Sequence, residues 1–210
     1  MNSLLLFGLL GWLYLVSILK RAHLTAFYFI AGSVGSFFIL IALADPYWVW
    51  FMTHAVINVV KLLGETFGWC HVMTKYGIVY ITNANNPVMM TIDYECSGII
   101  ESTAFLALVM FYPIYDRAAK VFYGWFGLIW IYLANVLRLM IVISLVHFGG
   151  AGWYYWAHSF IGRLVFYALV IILYYNVFTY SQLSKSLYIQ IIKRGRAIVG
   201  GIRHLWKRGN

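Results

Sequence analysis

Charged residues are scarce in this chain, at 10% of its 210 positions, whereas hydrophobic residues make up 63%. A soluble domain carries charge at about 25% of its positions. The composition therefore excludes an ordinary soluble protein and predicts a polytopic membrane protein. Because one crossing takes roughly 20 helical residues, a chain of this length has no room for a separate soluble domain.

Cysteines and known catalytic motifs are also few. The chain has two cysteines, Cys70 and Cys96, which is too few for a disulfide scaffold, and we do not expect them to pair. It has no HExxH, GxSxG, Walker or CxxC sequence. A metalloprotease, a serine hydrolase, an NTPase and a dithiol redox enzyme thus lack support, and we predict neither a metal nor a cofactor.

Apolar stretches predict the membrane spans. Five look long enough to cross and a sixth is mixed; they cover residues 3–19, 24–44, 98–115, 121–146 and 159–180, with the mixed stretch at 46–64. We predict an all-α polytopic protein with about five to six transmembrane helices. The mixed stretch contains Trp48, Trp50 and Lys61 and is typical of an amphipathic helix at the outer interface. The first stretch lacks a positively charged start, so we expect a retained span rather than a signal peptide.

Basic residues predict the orientation. Residues 185–210 carry seven Lys or Arg and no acid, which places them in the cytoplasm by the positive-inside rule. Counting the crossings from this tail back towards the N-terminus places the turns at 20–23 and 116–120 on the cytoplasmic side and Asp45 outside. We therefore predict a multi-pass plasma-membrane protein, with a single transmembrane domain over residues 1–184 and a basic cytoplasmic tail. The partner of that tail is anionic lipid rather than nucleic acid.

Residues 72–94 predict a short β-hairpin between the mixed stretch and the next long one. The runs Ile78–Thr82 and Val88–Tyr94 are rich in strand-forming residues and flank a turn-forming segment at 83–87. The hairpin would deliver the chain to Cys96.

Three residues that apolar helices normally exclude or leave inert lie near span ends on the predicted outer side: Cys96, Arg138 and His158. A thiol at a helix N-terminus is favoured as thiolate, because free backbone amides and the helix dipole stabilise negative charge there. An arginine inside an apolar stretch costs about 3 kcal/mol and is usually kept for a site, a pair or a pathway. Alone, each has a structural explanation, as a buried hydrophobe, a snorkelling arginine or an interfacial histidine. Their convergence on one side favours a thiol active site.

Three further polar residues lie within the same spans. Asn135 precedes Arg138 by three positions, on the same helical face, and is predicted to orient the guanidinium. Glu101 and Arg163 are costly inside a span unless paired. Since each follows a candidate catalytic residue by five positions, we expect a structural ion pair between them.

Three short segments carry a resemblance to a known family. They are Glu95-Cys96-Ser97-Gly98-Ile99, Asn135-Val136-Leu137-Arg138, and His158 followed by Gly162-Arg163. In order, spacing and placement on successive helices they resemble the three signature motifs of the exosortase/archaeosortase family of membrane cysteine transpeptidases. The match extends over roughly residues 75–180, and the small single-domain build resembles the short exosortases of Gram-positive bacteria. Family members commonly have more spans than are counted here.

The resemblance implies an enzyme that recognises a C-terminal sorting signal on a membrane-anchored protein. Such a signal consists of a short motif, a transmembrane helix and a basic cluster. Cys96 would be the nucleophile, His158 the proton-transferring group and Arg138 the group that stabilises the oxyanion, with Ser97 and Gly98 beside the nucleophile as support. The enzyme would cleave through a thioacyl intermediate at the outer face and transfer the new carboxyl end to an acceptor, for instance a lipid-linked one.

Two alternatives remain open. One is an intramembrane cysteine protease that only hydrolyses its substrate. The other is a transporter or lipid-binding scaffold, in which Glu101, Arg138 and Arg163 line a polar path and Cys96 is incidental. The chain shows no internal repeats of the kind transporters use, which favours the enzyme.

Overall fold

A computed structural model describes residues 3–44, 47–83, 87–92 and 96–180 of the chain. Asp45, Glu95 and the basic tail at 185–210 lie outside these residues. The helices and strands are, in order, α1 (Ser3–Arg21), α2 (Thr25–Ala44), α3 (Tyr47–Phe67), β1 (Cys70–Met73), β2 (Ile78–Ile81), β3 (Val88–Thr91), α4 (Ile99–Phe111), α5 (Arg117–Gly149), a 3-10 turn (Ala151–Trp153), α6 (Tyr154–Trp156), a π-helical turn (Ala157–Ile161), α7 (Gly162–Tyr174) and a second π-helical segment (Tyr175–Tyr180).

Three of the described helical stretches are long and apolar enough to cross a membrane. They are Thr25–Leu43, Arg117–Gly149 and Ala151–Thr179, and the apolar helix α4 is shorter. One face of α2 leaves Phe27, Ile30, Val34 and Phe38 more than half exposed. Because soluble monomers rarely expose large contiguous apolar patches, this stripe fits contact with lipid. The prediction of a mainly helical protein is confirmed, and three of its helices have the length and composition that a membrane span needs.

The helices of the N-terminal part pack around α4 and α5. Helix α4 contacts α2 on one side and α5 on the other, α1 contacts α2, and α3 contacts both α5 and β1. Helices α4 and α5 lie close together at Gly127, where a methyl group would lie 1.9 Å from Phe105 Cε1. Only glycine leaves room for the Phe105 ring there, so this small residue sets how near the two helices come.

The strands form one antiparallel sheet in the order β1-β2-β3. Val79 in the central strand pairs with Val72 on one side and Met90 on the other. These three side chains share the face that is buried with α3 and the C-terminal half of α5 in one hydrophobic core. Met89 and Thr91 lie on the opposite, exposed face. Strand alternation thus gives the sheet one core face and one open face.

The predicted hairpin is present as β2 and β3, and the sheet has one strand more than predicted. Strand β1 is only four residues long, with Cys70 and Val72 buried and His71 and Met73 exposed. So short an alternation gives little period-two signal, which is why β1 was missed. The mixed stretch predicted at 46–64 forms a helix, α3.

The chain divides into two compact units, Met1–Leu169 and Val170–Asn210. The first holds the sheet, its core and the candidate site described below. In the second, the described residues are helical, with α7 ending at Tyr174 and π-helical geometry from Tyr175 to Tyr180.

Replacing Gly127 with alanine should destabilise the protein by about 1–3 kcal/mol, because the added methyl overpacks the contact with Phe105. Gly124, one turn earlier on α5, is the matched control, since a methyl there would lie 3.5 Å from Leu106 Cδ2, an ordinary contact. Gly124→Ala should be neutral or stabilising, because alanine favours a helix over glycine by about 1 kcal/mol. Thermal unfolding in detergent measures both, and equal melting temperatures for the two variants would contradict the close approach.

Candidate active site

Cys96 lies just before the N-terminus of α4, as predicted. The residue that caps this helix is Gly98, with φ of 72°, a left-handed conformation that glycine adopts without the strain other residues meet. This turn leads the chain from Cys96 into α4. Cys96 and Ser97 are both buried, at 6% and 5% exposed.

The backbone of Cys96 is held by Asn135 of α5. The Asn135 side-chain amide donates a hydrogen bond of 2.6 Å to the Cys96 carbonyl, and Asn135 is fully buried. The prediction that Asn135 orients the Arg138 guanidinium is wrong, since Oδ1, the Asn135 atom that would have to accept from the guanidinium, has no hydrogen-bond partner within the described residues. The shorter side chain of Asn135 contacts the backbone carbonyl of Cys96, whereas the longer side chain of Arg138 contacts the Cys96 sulfur.

Arg138 brings a buried positive charge to the sulfur. Its Nη2 donates to Cys96 Sγ across 3.8 Å, and the side chain is only 5% exposed. Its Cζ lies 5.8 Å from the centre of the Phe166 ring of α7, within reach of a cation–π interaction. The guanidinium therefore places a hydrogen-bond donor and a positive charge directly beside the Cys96 sulfur.

Helix α7 comes close to Arg138 because of Gly162. A methyl group at Gly162 would lie 2.8 Å from Val142 Cγ2 and 3.4 Å from Arg138 Cγ. Phe166 follows Gly162 by one helical turn and therefore lies on the same face. This i, i+4 relation is the sequence signal that could have identified Phe166 as a neighbour of the guanidinium.

His158 lies in the π-helical turn Ala157–Ile161 that precedes α7. Its ring stacks on Tyr154, with centroids 5.6 Å apart and planes at 14°. Single π-helical turns occur frequently at functional sites. The stacked ring is half-buried and lies at the cavity described next.

One cavity of about 760 Å³ brings the candidate residues together. Its lining is Met89, Thr91, Cys96, Ile100, Glu101, Arg138, Tyr154, His158, Arg163 and Tyr167. The three predicted catalytic residues therefore share one cavity, although they come from three different parts of the chain. Four of the lining residues were not predicted, because nothing in their local sequence pattern distinguishes them from packing residues: Met89, Thr91, Ile100 and Tyr167.

Glu101 and Arg163 do not form the predicted ion pair. Both are described residues and line the same cavity, yet no carboxylate oxygen of Glu101 lies within 4.0 Å of a nitrogen of Arg163. The electrostatic partner of Glu101 is Arg138, and Arg163 is exposed. Matching their positions along the helices predicted similar depth, but contact also depends on how each helix is rotated.

The two thiols differ in their surroundings. Both are free. Cys70 lies in β1, outside the cavity, and a methyl group at Gly64 of α3 would lie 2.2 Å from its sulfur. Burial, helped by the nearby Glu65 carboxylate, raises the pKa of the Cys70 thiol to about 11. Cys70 is therefore protonated at neutral pH and lacks the thiolate that a nucleophile needs.

Within the described residues, no group of three or more His, Cys, Asp or Glu side chains is placed to hold a metal ion. The chain matches no protein-family model, no curated protein and no solved structure.

Asn135→Leu should destabilise the protein by about 1–3 kcal/mol, because it leaves the Cys96 carbonyl buried without its donor. Thr103→Val is the matched control. The Thr103 hydroxyl bonds only to carbonyls of its own helix, those of Ile99 and Ile100, which already accept helical hydrogen bonds. Thermal unfolding in detergent should show the larger loss for Asn135→Leu, and a larger loss for Thr103→Val would argue against a tie between α5 and Cys96.

At pH 7.5, iodoacetamide should alkylate Cys96 through the cavity and leave Cys70 unmodified. Burial raises the pKa of Cys70 to about 11, so at pH 7.5 almost none of this thiol is present as the thiolate that reacts with iodoacetamide. Mass spectrometry of the Cys70→Ala and Cys96→Ala variants assigns each adduct. Equal labelling of the two thiols at pH 7.5 would show that the cavity does not set their reactivity.

Proposed function

We propose that the protein is a membrane cysteine transpeptidase that resembles the exosortase/archaeosortase family and cleaves C-terminal sorting signals. The observation that carries this proposal is the contact of 3.8 Å between Arg138 Nη2 and Cys96 Sγ, in a cavity that His158 also lines. A buried cation, a thiol and an imidazole in one cavity are the groups that acyl transfer through a thioester needs.

The chemistry begins at the sulfur. The Cys96 thiolate attacks the carbonyl carbon of the scissile peptide bond and forms a tetrahedral intermediate. The Arg138 guanidinium stabilises the oxyanion, since its charge persists at any working pH and its planar fork directs donors at one oxygen. His158 protonates the leaving amine, the carbon–nitrogen bond breaks, and a thioacyl-enzyme remains.

An acceptor then completes the transfer. A nucleophile, an amine or a lipid-linked group, gives a proton to His158 and attacks the thioester, the carbon–sulfur bond breaks, and the Cys96 thiolate is released. Transfer instead of hydrolysis requires that water be kept from the thioester. Tyr154 and Tyr167 line the cavity, and these aromatic side chains support that exclusion.

The membrane arrangement that suits this reaction has five to six spans, with α3 at the outer interface. The cavity would open at the outer face of the plasma membrane and the basic tail would lie in the cytoplasm. The substrate would be an exported, membrane-anchored protein whose own transmembrane helix lies beside the enzyme in the bilayer. A short motif at the outer end of that helix would then reach Cys96.

A transporter or lipid-binding scaffold is the second candidate. It is favoured by the carboxyl group of Glu101 and the guanidinium groups of Arg138 and Arg163, which all line the cavity, because such groups within a membrane protein often mark a path for a polar solute. In that case Cys96 would have no chemical role, so the two candidates differ in what loss of the thiol does.

The test is co-expression with candidate proteins from the same genome that end in a transmembrane helix and a basic cluster. Intact mass spectrometry compares each candidate after expression with wild-type enzyme, with Cys96→Ala and with Cys70→Ala. Cys70→Ala is the matched control, because it removes the other buried thiol. We expect the candidate to lose its tail and gain an adduct with wild type and with Cys70→Ala, and to stay intact with Cys96→Ala.

Other masses would identify the alternatives. A shortened product with a free carboxyl end, dependent on Cys96, would mean a protease that only hydrolyses. If no candidate changes mass in a Cys96-dependent way, the enzyme proposal fails and the transporter or scaffold becomes the better explanation.

A further inference from the structure

Strand β3 is an edge of the sheet, and its register shows which way its backbone groups point. The Ile92 amide donates to the Gly77 carbonyl over 2.8 Å, so Ile92 forms a hydrogen-bonded pair with Gly77. In an antiparallel ladder hydrogen-bonded and non-hydrogen-bonded pairs alternate. Met90 therefore bonds to β2, whereas the N–H and C=O groups of Met89 and Thr91 point away from it.

These outward groups are unpaired in the part of the chain that the structure describes. No described residue donates to or accepts from the backbone of Met89 or Thr91. The edge thus presents two donors and two acceptors, repeated every second residue. Unpaired strand edges readily pair with another extended chain.

The free edge adjoins the cavity that holds the thiol. Met89 and Thr91 themselves line that cavity, together with Cys96. The opposite edge strand, β1, packs against α3, so β3 is the edge that opens on the candidate site. The strand ends at Thr91, a short distance along the chain before the nucleophile.

We propose that the scissile segment of the substrate binds as a fourth strand along the outer edge of β3. The proposal rests on the proposed function, since it takes a peptide substrate for granted. An extended peptide repeats its own donors and acceptors every two residues, about 6.8 Å apart, which matches the spacing of the free groups on β3. Strand addition is a recurrent way of holding a peptide, in which the main chain supplies affinity and alternate side chains supply specificity.

This arrangement also limits which substrates can react. In a helical segment the backbone N–H and C=O groups already bond to each other, so they are not free to bond to the edge of β3. The cleavage motif would therefore have to lie outside the substrate's transmembrane helix, in an extended stretch. Its alternate side chains would share the face occupied by Met89 and Thr91, next to the Arg163 side chain in the same cavity.

The first test is Thr91→Pro, which removes one outward N–H. Proline is tolerated on an edge strand where its nitrogen faces away from the ladder. The matched control, Thr91→Val, keeps the N–H and replaces only the hydroxyl. With a candidate that wild type cleaves in the co-expression assay, we expect kcat/KM of Thr91→Pro to lie about tenfold below that of Thr91→Val, in line with the loss of one hydrogen bond. Thermal unfolding and alkylation of Cys96 check that both variants are folded.

The second test does not depend on the folding of a variant. Synthetic peptides spanning the cleavage site of the same candidate, N-methylated at one backbone position at a time, are assayed with the wild-type enzyme in nanodiscs. Strand addition predicts that cleavage is lost at alternate positions and kept at those between.

The outcomes separate this inference from the proposed function. Loss of cleavage at every second methylated position supports strand addition. Cleavage that is insensitive to methylation, or sensitive without a period of two, overturns it while leaving the transpeptidase in place. Absence of Cys96-dependent cleavage of any candidate by wild type overturns both.

Discussion

The burial of one guanidinium inside apolar helices is the constraint on which the site depends. A charge at this position in α5 is costly unless neighbouring groups compensate it. Arg138 meets the Cys96 sulfur at 3.8 Å and the Phe166 ring at 5.8 Å, and the Glu101 carboxylate acts on it electrostatically. These partners come from α4, α7 and the segment before α4, so the position of one side chain ties together elements that are distant in sequence.

Much of this architecture follows from the sequence because it depends on local pattern. Apolar stretches delimited α2 and α5 to within a few residues, and the β-branched run from Ile78 indicated the strand that became β2. The grouping of Cys96, Arg138 and His158 was also predictable. Residues that apolar segments rarely contain are few, and the charge bias of the chain predicts that these three share one side of the membrane.

The details that were wrong or missed all depend on rotation and close packing. Sequence spacing gives the depth of Glu101 and Arg163 along their helices but not the direction in which each side chain points. It places Asn135 beside Arg138 on one helical face, yet cannot show that the amide is within 2.6 Å of the Cys96 carbonyl. Phe166 was missed because an aromatic residue in an apolar helix resembles any other lipid or core contact until Gly162 is seen to bring its helix close.

The π-helical turn at Ala157–Ile161 gives the last helix a change of phase. One additional residue in a turn rotates everything after it by about 100° relative to a continuous α-helix. The direction of the His158 side chain is therefore not fixed by a single helical repeat relative to the face that carries Gly162 and Phe166. The imidazole and the face that packs on Arg138 can each point where the site needs them, although they belong to one segment. Insertion or deletion of a single residue in this turn, a change that leaves composition and hydropathy almost untouched, would re-aim one relative to the other.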